Sequence, residues 1–249
     1  MLAILLFVTF LGMSAGEECN ELQDPIKRDQ GLGPFNVSRV ERSESGIEGK
    51  LVPISEASHP FKNAFYEGDS YVVNYAVREG RPGDVVYYWQ GAKSNVWEKG
   101  ASAILAVQLD TSIGGGAIQS RVEMGKEPLH FISMFGGTFV TLQGGVEKNE
   151  AETDTDGTML FKVTSQCNKA GFGTPITRTQ QVDENKASLN DEDVFILKTP
   201  TSLFIFQAEG ASDEEIAIAP KVAENLFPGE KASIFQGSPP PAIFTDALN

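Results

Sequence analysis

The sequence predicts an α+β protein of two related units, and three observations carry that prediction. The chain has 249 residues, more than one ordinary domain needs and enough for two of about 100 to 150 each. Short stretches in which apolar and polar residues alternate are interleaved with longer ones that have helical spacing. An acid, an apolar strand, a second strand and a helix with an early glutamate follow one another in each half, from Asp69 to Glu98 and again from Asp193 to Glu215, which is an internal repeat. A hydrophobic share of 41% supplies packed cores, and 25 glycines with 13 prolines indicate many turns rather than a helical bundle.

In the first unit FNVSRVERSE alternates at Phe35 and Val37, with Val40 further on, and reads as a strand. Pro53 and Pro60 punctuate a loop. AFYEGDSYVVNYAV and VVYYWQG read as two strands joined as a hairpin across REGRPGD. From Trp97 the pattern changes: in WEKGASAILAVQLD, Ala101, Leu105 and Leu109 recur at i, i+4 and i+8, so a helix starts here and Gly114, Gly115 and Gly116 stop it. AIQSRVEM is then a strand, EPLHFISMF a short amphipathic helix, and GTFVTLQGG a return to the sheet.

VEKNEAETDTDGT has no apolar period and reads as a linker. The second unit offers the strands MLFKVTS, ITRTQQV, DVFILKTP and SLFIFQA, then a helix, SDEEIAIAPKVAENLF, that Pro220 is expected to kink or cut. FTDALN closes the chain as a short helix. The organisation expected is a signal peptide over 1–16, an acidic arm over 17–33, a first unit over 34–146, a linker over 147–158 and a second unit over 159–249.

The signal peptide is read from MLAILLFVTFLGMSAG, whose apolar run Leu2 to Leu11 is too short to span a bilayer and is followed by Ser14, Ala15 and Gly16. No second long apolar stretch offers a transmembrane anchor, so a secreted, extracellular protein is expected. Its 34 acidic against 20 basic side chains give a formal charge of −14, a field that disfavours nucleic acid and anionic lipid and attracts cations. Cys19 and Cys167 are two thiols for an oxidising compartment, either paired, unpaired or bridged to another chain. Asn36-Val37-Ser38 is a glycosylation sequon that fits secretion. His59 and His130 have no zinc spacing, and GxSxG elbow, P-loop and nucleophilic cysteine constellation are all missing, so an enzyme is not expected.

The chemistry lies in the repeated acids. Asp69 and Asp193 each stand before a buried strand, and Glu98 and Glu215 lie in or near the first turn of the next helix. If strand and helix pack together, the two carboxylates converge with backbone carbonyls of Gly68 and Glu192, hard oxygen donors of the kind Ca²⁺ takes. Spacing alone favours the simpler role of acids at helix N-termini.

The run from FYEGDSYVVNY through VVYYWQGAKSNVWEKGASAILAVQLDTSIGGGAIQSRVEMGKEPLHFISMFGG resembles the gelsolin and villin family in its GDSY strand start, Trp-Gln-Gly strand end, glutamate before GASA, ILAVQLD helix and QGKEP-like segment. LNDEDVFILKTP and EGASDEE resemble the following domain of such proteins. Together they cover Phe35 to Asn249 and look most like the fourth and fifth domains of a six-domain member. The resemblance implies gelsolin-like domains, each a central mixed sheet sandwiched between a long and a short helix. It also implies one calcium site from the Gly68 carbonyl, the Asp69 and Glu98 side chains and a carbonyl near Val146, and another from the Glu192 carbonyl with Asp193 and Glu215. Family members bind actin along the long helix. Here Ile104, Leu105 and Gln108 are the candidate contacts, although at least one of Ile104 and Leu105 must cover the sheet.

Two functions follow as expectations. One is a secreted, calcium-dependent actin-binding protein without filament severing, since severing in the family depends on its N-terminal domains. The alternative is an acidic calcium-binding protein of extracellular or mineralised-tissue matrix that keeps the fold without actin. The fold alone does not separate them.

Overall fold

The computed structural model describes residues 31–44, 46, 48–54, 61–77, 84–146, 156–166 and 175–248. The expected signal peptide, nearly all of the acidic arm, Cys19, Cys167, His59 and residues 147–155 of the expected linker lie outside the described residues.

The first half contains β1 (Phe35–Arg42), β2 (Gly49–Pro53), β3 (Ala64–Tyr66), β4 (Ser70–Tyr75), β5 (Val85–Gln90), α1 (Val96–Ser112), β6 (Ile118–Glu123), α2 (Leu129–Met134) and β7 (Val140–Leu142). The second contains β8 (Met159–Gln166), β9 (Ile176–Val182), β10 (Val194–Lys198), β11 (Leu203–Gln207), α3 (Asp213–Leu226), β12 (Ala232–Gln236) and α4 (Ala242–Thr245). Two mixed sheets result, one ordered β2-β1-β4-β5-β6 and the other β12-β11-β10-β8-β9-β7-β3. The core of the second sheet, β9-β8-β10-β11-β12, repeats the first strand for strand, including a single parallel pair at the end, β5 with β6 and β11 with β12.

Each sheet is covered on both faces, as the α+β reading expects. Because successive strand residues point to opposite faces, Val72 and Val86 meet Ala101, Leu105 and Ala106 of α1, while Tyr71, Val73, Tyr87 and Trp89 meet Phe131 and Met134 around α2. In the second sheet Phe161, Val163, Val194 and Ile196 meet Ala219, Val222 and Leu226 of α3. Their neighbours Leu160, Phe195, Leu197 and Phe206 meet Phe244 beside α4. Gly49 lets β2 approach the long helix, since a Cβ there would sit 3.1 Å from Leu105 Cδ1 and 3.2 Å from Ala101 Cβ.

Three expectations are corrected. The run AFYEGDSYVVNYAV is not one strand: a turn over Glu67 to Asp69 divides it, and β3 and β4 belong to different sheets. GTFVTLQGG does not return to the first sheet, because β7 pairs in parallel with β3 and β9 and so extends the second. Pro220 does not cut α3, which runs for 14 residues through it. The ring lies on the exposed side, so the lost backbone bond and the ring's bulk fall away from the core. β2 and β12 are strands that the alternation missed.

The units are also joined by a buried charge. Glu127, one of the most buried acids, accepts from Trp89 Nε1 at 3.0 Å and Gly125 N at 2.9 Å in its own unit, and from Arg178 Nε of β9 at 2.8 Å. Arg178 Nη2 also donates to the Glu127 carbonyl at 2.7 Å, so the guanidinium is held by two acceptors in a fixed geometry.

Candidate functional site

At the end of the first sheet the chain leaves β3, turns at Glu67–Asp69 and enters β4, so Asp69 stands where the backbone changes sheets. The loop after β5 closes the turn, with Gly91 N donating to the Asp69 carbonyl at 3.1 Å and Lys93 N to the Glu67 carbonyl at 2.9 Å. The carboxylate is 3% exposed. It accepts from Val146 N at 3.2 Å to both oxygens, and from Tyr71 Oη at 3.2 Å. Burial pushes its pKa up to about 6; the Val146 N–H, Arg39 and Tyr71 oppose that rise, and the nearby Glu98 charge adds to it.

Glu98 is 2% exposed and is the third residue of a capping box on α1. Its Oε2 accepts from Asn95 N at 3.1 Å and from Ser94 Oγ at 2.8 Å, and Ser94 Oγ lies 2.7 Å from Ser70 Oγ on β4. The helix-terminal role is therefore real. A capping box functions on an open helix end, however, whereas this one is buried and tied through two serines to the strand start beside Asp69.

The second unit repeats the frame. Ala208 N donates to the Asp193 carbonyl at 3.3 Å and Gly210 N to the Asp191 carbonyl at 2.8 Å, the counterparts of the two loop bonds at Asp69. Glu215 is again third in a capping box, with Ser212, and is 3% exposed. Burial raises its pKa, the N–H groups of Ser212 and Ser165 pull it down, and Asp193 raises it further, so the two acids are electrostatic neighbours. Asp193 is only part-buried, and its Oδ2 is engaged by Lys162 Nζ at 2.7 Å and Asn190 Nδ2 at 2.6 Å.

The structure thus brings Asp69, Glu98 and Val146 together, with Gly68 and Gly145 in the same cradle. A Cβ on Gly68 would lie 2.6 Å from the Gly144 carbonyl, and one on Gly145 would lie 2.9 Å from Asp69 Oδ1. It also brings Asp193 and Glu215 together, with Glu192 exposed in the adjoining turn. Among the described residues no three His, Cys, Asp or Glu side chains gather as a metal cluster. A cation here would therefore take two carboxylates per unit and complete its shell from backbone carbonyls. All-oxygen donors at irregular angles fit Ca²⁺ and suit neither zinc nor copper.

The long helix supplies a second feature. Ile104 is 61% exposed, Val107 50%, and Gln108 lies beside them on the surface. Leu105 is 7% exposed and packs against Val40, Val72 and Val86, so its bulk belongs to the core, and its remaining surface lines the groove beside α1. The reason is helical geometry: Leu105 belongs to the inward stripe with Ala101 and Leu109, and Ile104 is turned about 100° from it. Together with Val96 and Trp97, Ile104 and Gln108 border an open groove of about 470 Å³ between α1 and the start of β2. Val96 and Val107 belong to this apolar face and were not singled out from the sequence. Asn36 of the sequon is exposed on β1.

No described helix is long and apolar enough to cross a membrane. A family model described as the gelsolin repeat matches residues 50–132. Cytoplasmic gelsolin of Homarus americanus is 42% identical over 187 residues, covering 72% of this chain and 24% of its own length. Advillin of Mus musculus is 34% identical over 217 residues, 87% of this chain and 25% of advillin. The chain thus spans about a quarter of the length of these relatives. The crystal structure of a Thorarchaeota 2DGel3/rabbit actin complex matches at 24% identity over 86% of this chain and 99% of that one, with a TM-score of 0.35.

Proposed function

Since the chain belongs to the gelsolin and villin family, we propose that it binds actin in a calcium-dependent manner, without severing filaments. The observation that carries this reading is the outward face of α1. A helix that buries Ala101, Leu105 and Ala106 against the sheet has no packing reason to present Ile104 and Val107 to water as well. Apolar side chains of this kind favour binding when a partner removes them from water, and the groove beside them gives that partner a shape to fill.

Calcium is the proposed cofactor. Gly68, Asp69, Glu98 and Val146 would hold one ion, and Glu192, Asp193 and Glu215 another. Bound calcium supplies positive charge to carboxylates that burial otherwise disfavours. Asp69 fixes the strand start, Glu98 fixes the first turn of α1, and an ion shared between them would hold the contact helix against the sheet. Secretion belongs to the same proposal, on the evidence of the apolar Leu2–Leu11 segment; a mature N-terminus at Glu17 would support it.

The deciding experiment is a fluorescence or sedimentation titration with monomeric actin, in millimolar calcium and in chelator. Binding at tens of micromolar or tighter in calcium alone supports the proposal. No binding, with calcium still raising the melting temperature, would instead favour the acidic matrix-protein reading.

A further inference from the structure

We propose that Lys162 is a tethered cation that competes with calcium for the second unit's site, and that Glu41 keeps Arg39 from doing the same in the first. The inference rests on the calcium reading above.

The sheet register identifies the two cations as counterparts. Asp69 and Asp193 are equivalent by their loop bonds. Two residues further on, Tyr71 faces Arg39 of β1, and Phe195 faces Lys162 of β8. Val40 next to Arg39 packs on the long-helix face, as does Val163 next to Lys162. Both basic side chains therefore belong to the short-helix face, at the same position relative to the acid.

Their partners differ. Lys162 Nζ lies 2.7 Å from Asp193 Oδ2. Arg39 is bound by Glu41, through Nη2 and through Nε at 3.2 Å, and reaches Asp69 only as a through-space charge. The cause can be read two residues along each strand. Arg39-Val40-Glu41 places an acid on the same face as the arginine, whereas Lys162-Val163-Thr164 places a neutral hydroxyl there. Lacking a rival acid on its own strand, the ammonium goes to Asp193.

The consequence is an asymmetry in metal binding. Asp69 holds only N–H and O–H donors, which a dication supplements without displacing a charge. Asp193 Oδ2 already faces an ammonium, so a dication that approaches this carboxylate, even through Oδ1, works against the positive charge of Lys162 beside it. The first unit is accordingly the tighter site.

The test is calorimetric titration of the full chain with Ca²⁺. An Asp69→Asn background reports the second site, and an Asp193→Asn background reports the first. Lys162→Met keeps the aliphatic stem and removes the charge; it is expected to tighten the second site about tenfold. Glu41→Thr copies the second unit into the first and is expected to weaken the first site severalfold. A melting curve separates competition from mere propping: Lys162→Met should lower the metal-free melting temperature while enlarging the rise that calcium produces, whereas a purely structural lysine would shift both curves equally. If the wild-type chain binds calcium and neither variant moves its dissociation constant, this inference is wrong and the calcium reading stands. If the wild-type chain takes up no calcium, the calcium reading itself fails.

Discussion

Aligned on their capping-box glutamates, the two long helices keep the same positions buried and differ in the character of their outward residues. Ser102, Leu105 and Ala106 of α1 correspond to Ala219, Val222 and Ala223 of α3, all buried. Outward, Ile104 corresponds to Lys221 and Val107 to Glu224, an apolar face against a charged one. The sites at the strand starts differ in a similar way, with Asp69 buried among neutral donors and Asp193 part-exposed on an ammonium. Packing has held the scaffold constant while partner surface and local charge vary. The first unit accordingly carries the candidate contact, and the second tests which features are scaffold alone.

The largest expected effect lies where the two units meet. Replacing Glu127 by Ala would leave Arg178 without its carboxylate and would strip acceptors from Trp89 Nε1 and Gly125 N. Loss of one partner of a buried pair costs about 3 to 5 kcal/mol, and urea unfolding should register it. If the units depend on each other, a single transition will split into two. If the midpoint is unmoved, the joint contributes nothing to either unit.

That joint was not legible in the sequence, and the reason is physical. Periodicity reports which face of an element is buried, so α1, β10 and β11 could be read from Ala101, Leu105 and the runs around Ile196 and Ile205. It says nothing about which sheet a strand joins. β3 and β7 have only three residues each and pair across large sequence separations, and the turn at Glu67–Asp69 has no proline to announce it. β12 escaped because its Ile234 is 52% exposed on an edge. The carboxylates of the candidate sites were legible because they recur at the same points of the repeat. Arg39 and Lys162 were not, since only the register aligns them. Of Ile104 and Leu105, the stripe with Ala101 and Leu109 already marked Leu105 as the one that covers the sheet.

The next effect separates the two aspartates. Asp69 has a folded pKa of about 6 against an ordinary value of 3.8, so the native state binds its proton more readily than the unfolded chain. Above about pH 6 the carboxylate is charged in both states, and the folded one carries the full cost of burial. As pH falls towards about 4 that cost disappears, so this group makes the metal-free protein more stable at acid pH. Asp69→Asn should therefore stabilise the chain in chelator at pH 7 by about 2 to 3 kcal/mol and flatten the slope of stability between pH 4 and 6. With calcium present the same variant should lose the first unit's share of the melting-temperature rise.

A smaller change tests the helix faces. Ile104→Lys gives α1 the second unit's residue, and should weaken actin binding about thirtyfold, or about 2 kcal/mol, with the fold intact by circular dichroism. Lys221→Ile, the reverse exchange on α3, should leave the affinity within about twofold. If Lys221→Ile strengthened binding, or Ile104→Lys left it unchanged, the contact would not belong to the first unit.

The smallest effect has the opposite sign to that at Asp69 and so discriminates best. Asp193→Asn leaves Lys162 with an amide in place of its carboxylate; because that lysine is 29% exposed, water screens part of the loss, and about 1 kcal/mol of destabilisation is expected in chelator at pH 7. The two aspartates occupy equivalent turns and receive equivalent bonds at their main-chain carbonyls, and Asn is nearly isosteric with each, although it forfeits one acceptor oxygen at both positions. The sign of the difference between the two substitutions then reports chiefly on charge, and on whether a cation already stands beside it. Stabilisation at position 69 with destabilisation at 193, measured by urea midpoint in one buffer, would establish that difference. Shifts of the same sign would mean that burial outweighs the Lys162 pair and that the two sites are electrostatically alike.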